Sequence, residues 1–160
     1  MDGAQLARSF NRNLSVIRMQ VDGLTHPDSL LQLPFRGNCL NWTLGHLVVN
    51  RDDVLELLGE QRLFTQDETQ RYDYESEPVL GDGPEIVAME AMLVMLRDAQ
   101  EMFDDLMPGM PAEAFKREIQ SGDRMVTIAK RMSFLCWHET YHTGQTEILR
   151  QLAGTDDKVI

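Results

Sequence analysis

Lysine is scarce in this chain of 160 residues: only three of its 15 cationic side chains are lysines (Lys116, Lys130 and Lys158), and they form no patch. Acidic residues number 26, leaving a net charge of −11. A surface of that sign repels a phosphate backbone, which argues against nucleic-acid binding through a basic face. No apolar run approaches the ~20 residues that a membrane span needs. The first residues, Met1-Asp2-Gly3-Ala4-Gln5, lack the cationic and apolar regions of a signal peptide. Two cysteines, Cys39 and Cys136, are too few for a disulfide framework. A reducing, cytoplasmic location is therefore the expectation. With 42% hydrophobic and 26% charged residues, the composition is that of one globular domain over residues 1–160.

Helical periodicity is abundant, and no segment carries a convincing strand period. The first helix is expected over residues 4–24, where Leu6, Phe10, Leu14, Ile17, Val21 and Leu24 recur every three or four positions. Pro27 then biases His26 away from the helical region, which places His26 in a surface turn. A second helix is expected over 41–58, with Gly59 as its stop. The acidic stretch 61–83 reads as a long connection. A third helix is expected over 84–107, with Gly83 as cap, Pro84 at the first helical position and Glu85 at the positive end of the dipole. It carries two apolar stripes. The second, Met92, Met95, Ala99, Met102 and Leu106, is covered either by a second copy of the chain or by a central position in the fold. Residues 108–123 read as a linker, and a fourth helix is expected over 126–153. The expected fold is an all-α, up-and-down four-helix bundle with a long connection between helices two and three.

The histidines carry the chemistry. His138 and His142 are one helical turn apart and share a face, so two imidazoles can converge on one ion. The seam they occupy, Arg131, Phe134/Leu135, His138, Tyr141/His142, Gln145, Ile148/Leu149 and Leu152, reads as the core face of the fourth helix. Buried polar groups there need a shared partner, which a divalent metal supplies. His46, on the side of helix two marked by Trp42 and Val49, is the natural third ligand. An ordinary hydrogen-bonded histidine pair shows the same spacing. Cys39 and Cys136 read as small buried fillers. His138-Glu139-Thr140-Tyr141-His142 is formally an HExxH run, in which Glu139 is a general base in zinc proteases; that is a rival reading.

Trp42-Thr43-Leu44-Gly45-His46-Leu47 and His138-Glu139-Thr140-Tyr141-His142-Thr143-Gly144-Gln145, about 90 residues apart, together resemble the DinB-like superfamily. The resemblance covers most of the chain. It implies a four-helix bundle, usually a homodimer, in which His46, His138 and His142 bind a divalent metal. Relatives include thiol S-transferases that use bacillithiol or glutathione, and mycothiol-dependent isomerases. Three neutral imidazoles suit zinc with an open position, and nickel, iron or manganese are also compatible. Such an ion activates either water, for hydrolysis, or a low-molecular-weight thiol, for transfer to an electrophile. The resemblance favours the thiol. A non-catalytic, metal-stabilised module acting in stress response is the further alternative. Gln145, one turn beyond His142, and Arg131, two turns before His138, are candidates to orient a substrate. Their plainer readings are a core hydrogen bond and a surface arginine whose stem snorkels.

Overall fold

The computed structural model describes residues 2–155, 157 and 159. The protein is mostly helical, with α1 (Gly3–Val21), α2 (His26–Ser29), α3 (Leu40–Leu58), α4 (Gln66–Tyr72), α5 (Met89–Leu106), α6 (Ala112–Lys116) and α7 (Ile128–Leu152). Strands β1 (Glu118–Ser121) and β2 (Arg124–Thr127) form an antiparallel hairpin between α6 and α7. Among the described residues, no helix is long and apolar enough to cross a membrane.

The four long helices pack in a ring: α1 lies against α5 and α7, and α3 lies against the same two. The first and second long helices are therefore diagonal. That corrects the up-and-down expectation, in which consecutive helices are neighbours. Arg51 of α3 ties the ring at its centre. It donates to both carboxylate oxygens of Glu139 on α7 (2.8 and 2.9 Å), to the Leu96 carbonyl and Gln100 Oε1 on α5, and to the Phe10 carbonyl on α1. All five of its N–H donors are used, and the guanidinium lies 5.7 and 5.5 Å from the ring centroids of Phe10 and Phe103, which pack against each other. Both members of the ion pair are fully buried.

Helix α1 begins as its sequence predicts, with Asp2 and Gln5 capping each other, and it buries Leu6, Phe10, Leu14, Ile17 and Val21. The most enclosed helix is α3, not α5: every residue from Leu40 to Asp52 is buried. The acidic connection causes this. It is not an open loop but contains α4, and Phe64, Tyr72 and Val79 close over one side of α3. Covering α3 explains why its leucine stripe alone understated its burial.

Other expectations need correction. Helix α5 starts at Met89, five residues after Pro84, because Val87 is held against α3. Its N–H donates to the Tyr72 hydroxyl (2.9 Å) and its carbonyl accepts from the Asn41 amide (3.0 Å). His26 is no surface turn residue. It opens α2, capped by Thr25, and its Nδ1 accepts the Met89 N–H at the start of α5. Residues 108–123 hold α6 and β1 in place of a plain linker. The missed hairpin signal was Gly122-Asp123 between Glu-Ile-Gln-Ser and Arg-Met-Val-Thr, with Gly122 at φ 57° in the two-residue turn. Of the second stripe on α5, Met92 and Ala99 are fully buried within the chain, so they are not free to meet a second copy.

Candidate metal centre

His46 projects from the middle of α3, and His138 and His142 project from successive turns of α7. One ligand nitrogen from each of the three lies within 4.8 Å of the others. Their rings are mutually close to perpendicular, at 77–86°, with centroids 4.6–5.1 Å apart. The three residues expected from the sequence are thus brought together.

The outward nitrogen of each ring is fixed by an oxygen. His46 Nδ1 donates to the Tyr72 carbonyl at 2.8 Å, a partner that can only accept. His138 Nδ1 faces Asn50 Oδ1 at 3.1 Å. The Asn50 amide nitrogen is already committed to the Leu135 carbonyl, so its oxygen is the acceptor. His142 Nδ1 donates to Gln145 Oε1 at 2.7 Å. With Nδ1 protonated in all three, each Nε2 carries a lone pair. Those of His138 and His142 face each other at 3.1 Å. Burial pushes all three histidines toward the neutral form, and His138 is lowered to about 4, with the charge of His142 adding to burial. Two lone pairs at that distance with no proton between them repel, and a cation reverses the sign of the contact. The separation lies between the ~2.9 Å and ~3.4 Å spanned by right-angled and tetrahedral pairs of ~2.05 Å bonds. The donor set fits a divalent ion.

Local sequence explains how His46 is held. Its neighbour Gly45 has no side chain, and a Cβ there would lie 2.2 Å from a carbon of the Tyr72 ring. The absent side chain lets Tyr72 lie flat on α3, with its carbonyl under His46. The Tyr72 hydroxyl donates to Asn41, which pins the far end of the ring. On the other side Trp42 stacks on the His46 ring, with centroids 4.7 Å apart.

The expected core seam of α7 is rotated by one residue. Ile128, Met132, Leu135, Cys136, Glu139, Thr143, Thr146 and Leu149 face inward. Phe134, Trp137, Tyr141 and Ile148 are 48–61% exposed. The histidines therefore sit at the margin of the core beside open space, not inside it. Glu139 faces away from them into its pair with Arg51, which removes it as the base of an HExxH site. Gln145 supports His142. Arg131 is no free surface arginine, since it donates to Asp53 at 2.9 Å. Both cysteines are buried, as expected.

Two cavities meet at the centre and share His46 and His138. One, of about 440 Å³, is walled by Phe35, Trp42, Tyr141 and Ile148 and reaches His142 and Gln145. The other, of about 390 Å³, is lined by Asp53, Asp73, Arg131 and Phe134. Sequence reasoning missed Asn50 and Tyr72. Asn50 was findable, because it lies four residues after His46 on the same face; the Tyr72 carbonyl leaves no side-chain signal.

Three convergent imidazoles at the edge of a helical fold, each braced by an oxygen and bordering a cavity, form a candidate site for a divalent metal. Residues 5–146 match the DinB superfamily, and the chain belongs to that family. A conserved protein from Enterococcus faecalis, known from its crystal structure, has a similar fold. The TM-score is 0.72 at 14% identity, covering 96% of this chain and 98% of that one. No curated protein matches the chain.

Proposed function

We propose that this protein holds one divalent cation, zinc or nickel, on His46, His138 and His142 and transfers a low-molecular-weight thiol to an electrophile. The observation that carries the reading is the convergence of three Nε2 lone pairs whose Nδ1 hydrogens are all committed to oxygen acceptors. Bound there on neutral ligands, such an ion would keep its full charge and make a thiol or a water more acidic. Tyr72, Asn50 and Gln145 orient the imidazoles, and Trp42 and Tyr141 form apolar walls that limit water beside them. The open cavities favour a catalytic site over a closed structural one. Glu139 is engaged with Arg51, so the chain offers no HExxH base for hydrolysis, which favours thiol transfer over the hydrolase alternative. The buried cysteines supply no nucleophile, and the sulfur comes from a small molecule. We read the four long helices as one four-helix bundle and the working assembly as a cytoplasmic homodimer, which light scattering showing a monomer at low micromolar concentration refutes.

The test couples metal analysis of the purified protein to a screen of small thiols against model electrophiles such as chlorodinitrobenzene. One zinc or nickel per chain and metal-dependent thioether formation are expected. His142→Ala should lose metal and activity together while keeping its helical circular dichroism. Cleavage of esters or amides, with no thiol reaction, refutes the transferase reading in favour of the hydrolase.

A further inference from the structure

We infer that the larger cavity selects a substrate with an apolar body and a carboxylate, and that Arg36 takes the carboxylate. The inference rests on the metal-centre reading for the placement of the substrate over the histidines.

The two cavities differ in charge. The smaller one contains Asp53, Asp73 and Arg131, and Arg131 is already neutralised by Asp53. The larger one has no carboxylate in its lining, although the chain carries 26 acidic residues. Apart from its histidines, Arg36 is the one ionisable cation facing that space, and among the described residues no carboxylate pairs with it.

An arginine with no partner beside apolar walls is matched to a carboxylate, which its planar fork can hold through two parallel hydrogen bonds. The overall charge of −11 repels an incoming anion, so a local cation without an acidic neighbour is needed to admit one. The walls supply the other half of the recognition. Phe35, Trp42, Tyr141 and Ile148 offer aromatic and aliphatic surface, and about 440 Å³ is within the range of small-molecule sites. Gln145 also borders the space; its oxygen accepts from His142, and its amide nitrogen carries no charge with which to tell an acid from its amide. Arg36 is therefore the specificity-determining charge.

The test uses the zinc-loaded protein and its Arg36→Gln variant, titrated calorimetrically with phenylalkanoates from phenylacetate to 6-phenylhexanoate and with their primary amides. The best acid is expected to bind roughly tenfold tighter than its amide. Arg36→Gln should erase that preference while keeping the wild-type zinc content. An acid preference that survives in Arg36→Gln places the anion elsewhere and overturns the inference. So does equal binding of acid and amide by the wild type, or no binding of any probe. Zinc content measured on the same samples separates this from the metal-centre reading: a wild type that takes up no zinc refutes that reading, whereas a zinc-loaded protein indifferent to charge refutes only the role of Arg36.

Discussion

Gly45→Ala is expected to damage the metal centre without touching a ligand. A Cβ at residue 45 would lie 2.2, 2.4 and 2.6 Å from Tyr72 Cδ1, Cγ and Cε1, where carbon atoms rest at ~3.5 Å or more. The ring must recede by about 1 Å. It is fully buried and pinned by Asn41 and Val87 at its hydroxyl, so its backbone is displaced with it. That movement takes the Tyr72 carbonyl away from His46 Nδ1. Overpacking costs ~1–3 kcal/mol, and the better helix propensity of alanine returns ~1 kcal/mol. The net expectation is a loss of up to about 2 kcal/mol in stability, with zinc affinity weakened ~10–100-fold through the lost acceptor. Gly144→Ala is the matched control. It is also within a helix, but a Cβ there meets no heavy atom within 4 Å. It should gain up to ~1 kcal/mol and bind zinc as the wild type does. Urea unfolding and competition with a chromogenic zinc chelator measure both quantities. If Gly45→Ala is stabilised like Gly144→Ala and keeps wild-type zinc affinity, the account of how Tyr72 orients His46 is refuted.

Three further outcomes follow from the same geometry. Glu139→Gln leaves the Arg51 guanidinium buried without a counter-charge and should destabilise the protein by ~3–5 kcal/mol; normal stability in urea unfolding contradicts the buried-pair assignment. Cys39 and Cys136 are buried, and burial raises both thiols, Cys136 to about 11, so a chromogenic disulfide reagent should titrate no thiol in the native protein and two after denaturation. In the metal-free protein, burial and then the charge of His142 lower His138 to about 4, against ~6.5 in an unfolded chain. Between those values the unfolded chain binds the extra proton, so stability is full above about pH 6.5 and declines toward pH 4. His138→Gln should show a smaller decline over that window in urea midpoints, and an equal decline refutes the assignment.

The three histidines were legible because spacing alone puts His138 and His142 on one face, and His46 stands off the leucine stripe of its helix. The orientation of α7 was not. Its inward face includes Glu139, Thr143, Thr146 and Arg150, all satisfied locally or by other elements. Thr143 and Thr146 bond carbonyls of their own helix, and Arg150 bonds those of Gln20 and Asp22. Its outward face carries Phe134, Trp137, Tyr141 and Ile148. Hydrophobic periodicity assumes that apolar means inward, and here the apolar residues wall cavities or meet solvent. The start of α5 failed for a different reason. Gly83-Pro84-Glu85 is a good local start signal, but bonds from Tyr72 and Asn41 to Val87 override it.

The rotation of α7 also joins the fold to the site. Adjacent residues of a helix point ~100° apart, so His138 and Glu139 cannot face the same way. The Arg51 pair clamps Glu139 toward the centre of the ring through two hydrogen bonds of 2.8 and 2.9 Å. With that direction fixed, His138 on one side of Glu139 in sequence and His142 a turn from His138 are aimed at His46. Arg51 and His46 lie on the same helix, and Asn50, the residue before Arg51, supports His138. One short stretch of α3 therefore sets both the helical phase of α7 and the tautomer of a ligand. The glutamate between the histidines, which reads in isolation as a catalytic base, acts here as the anchor that aims them.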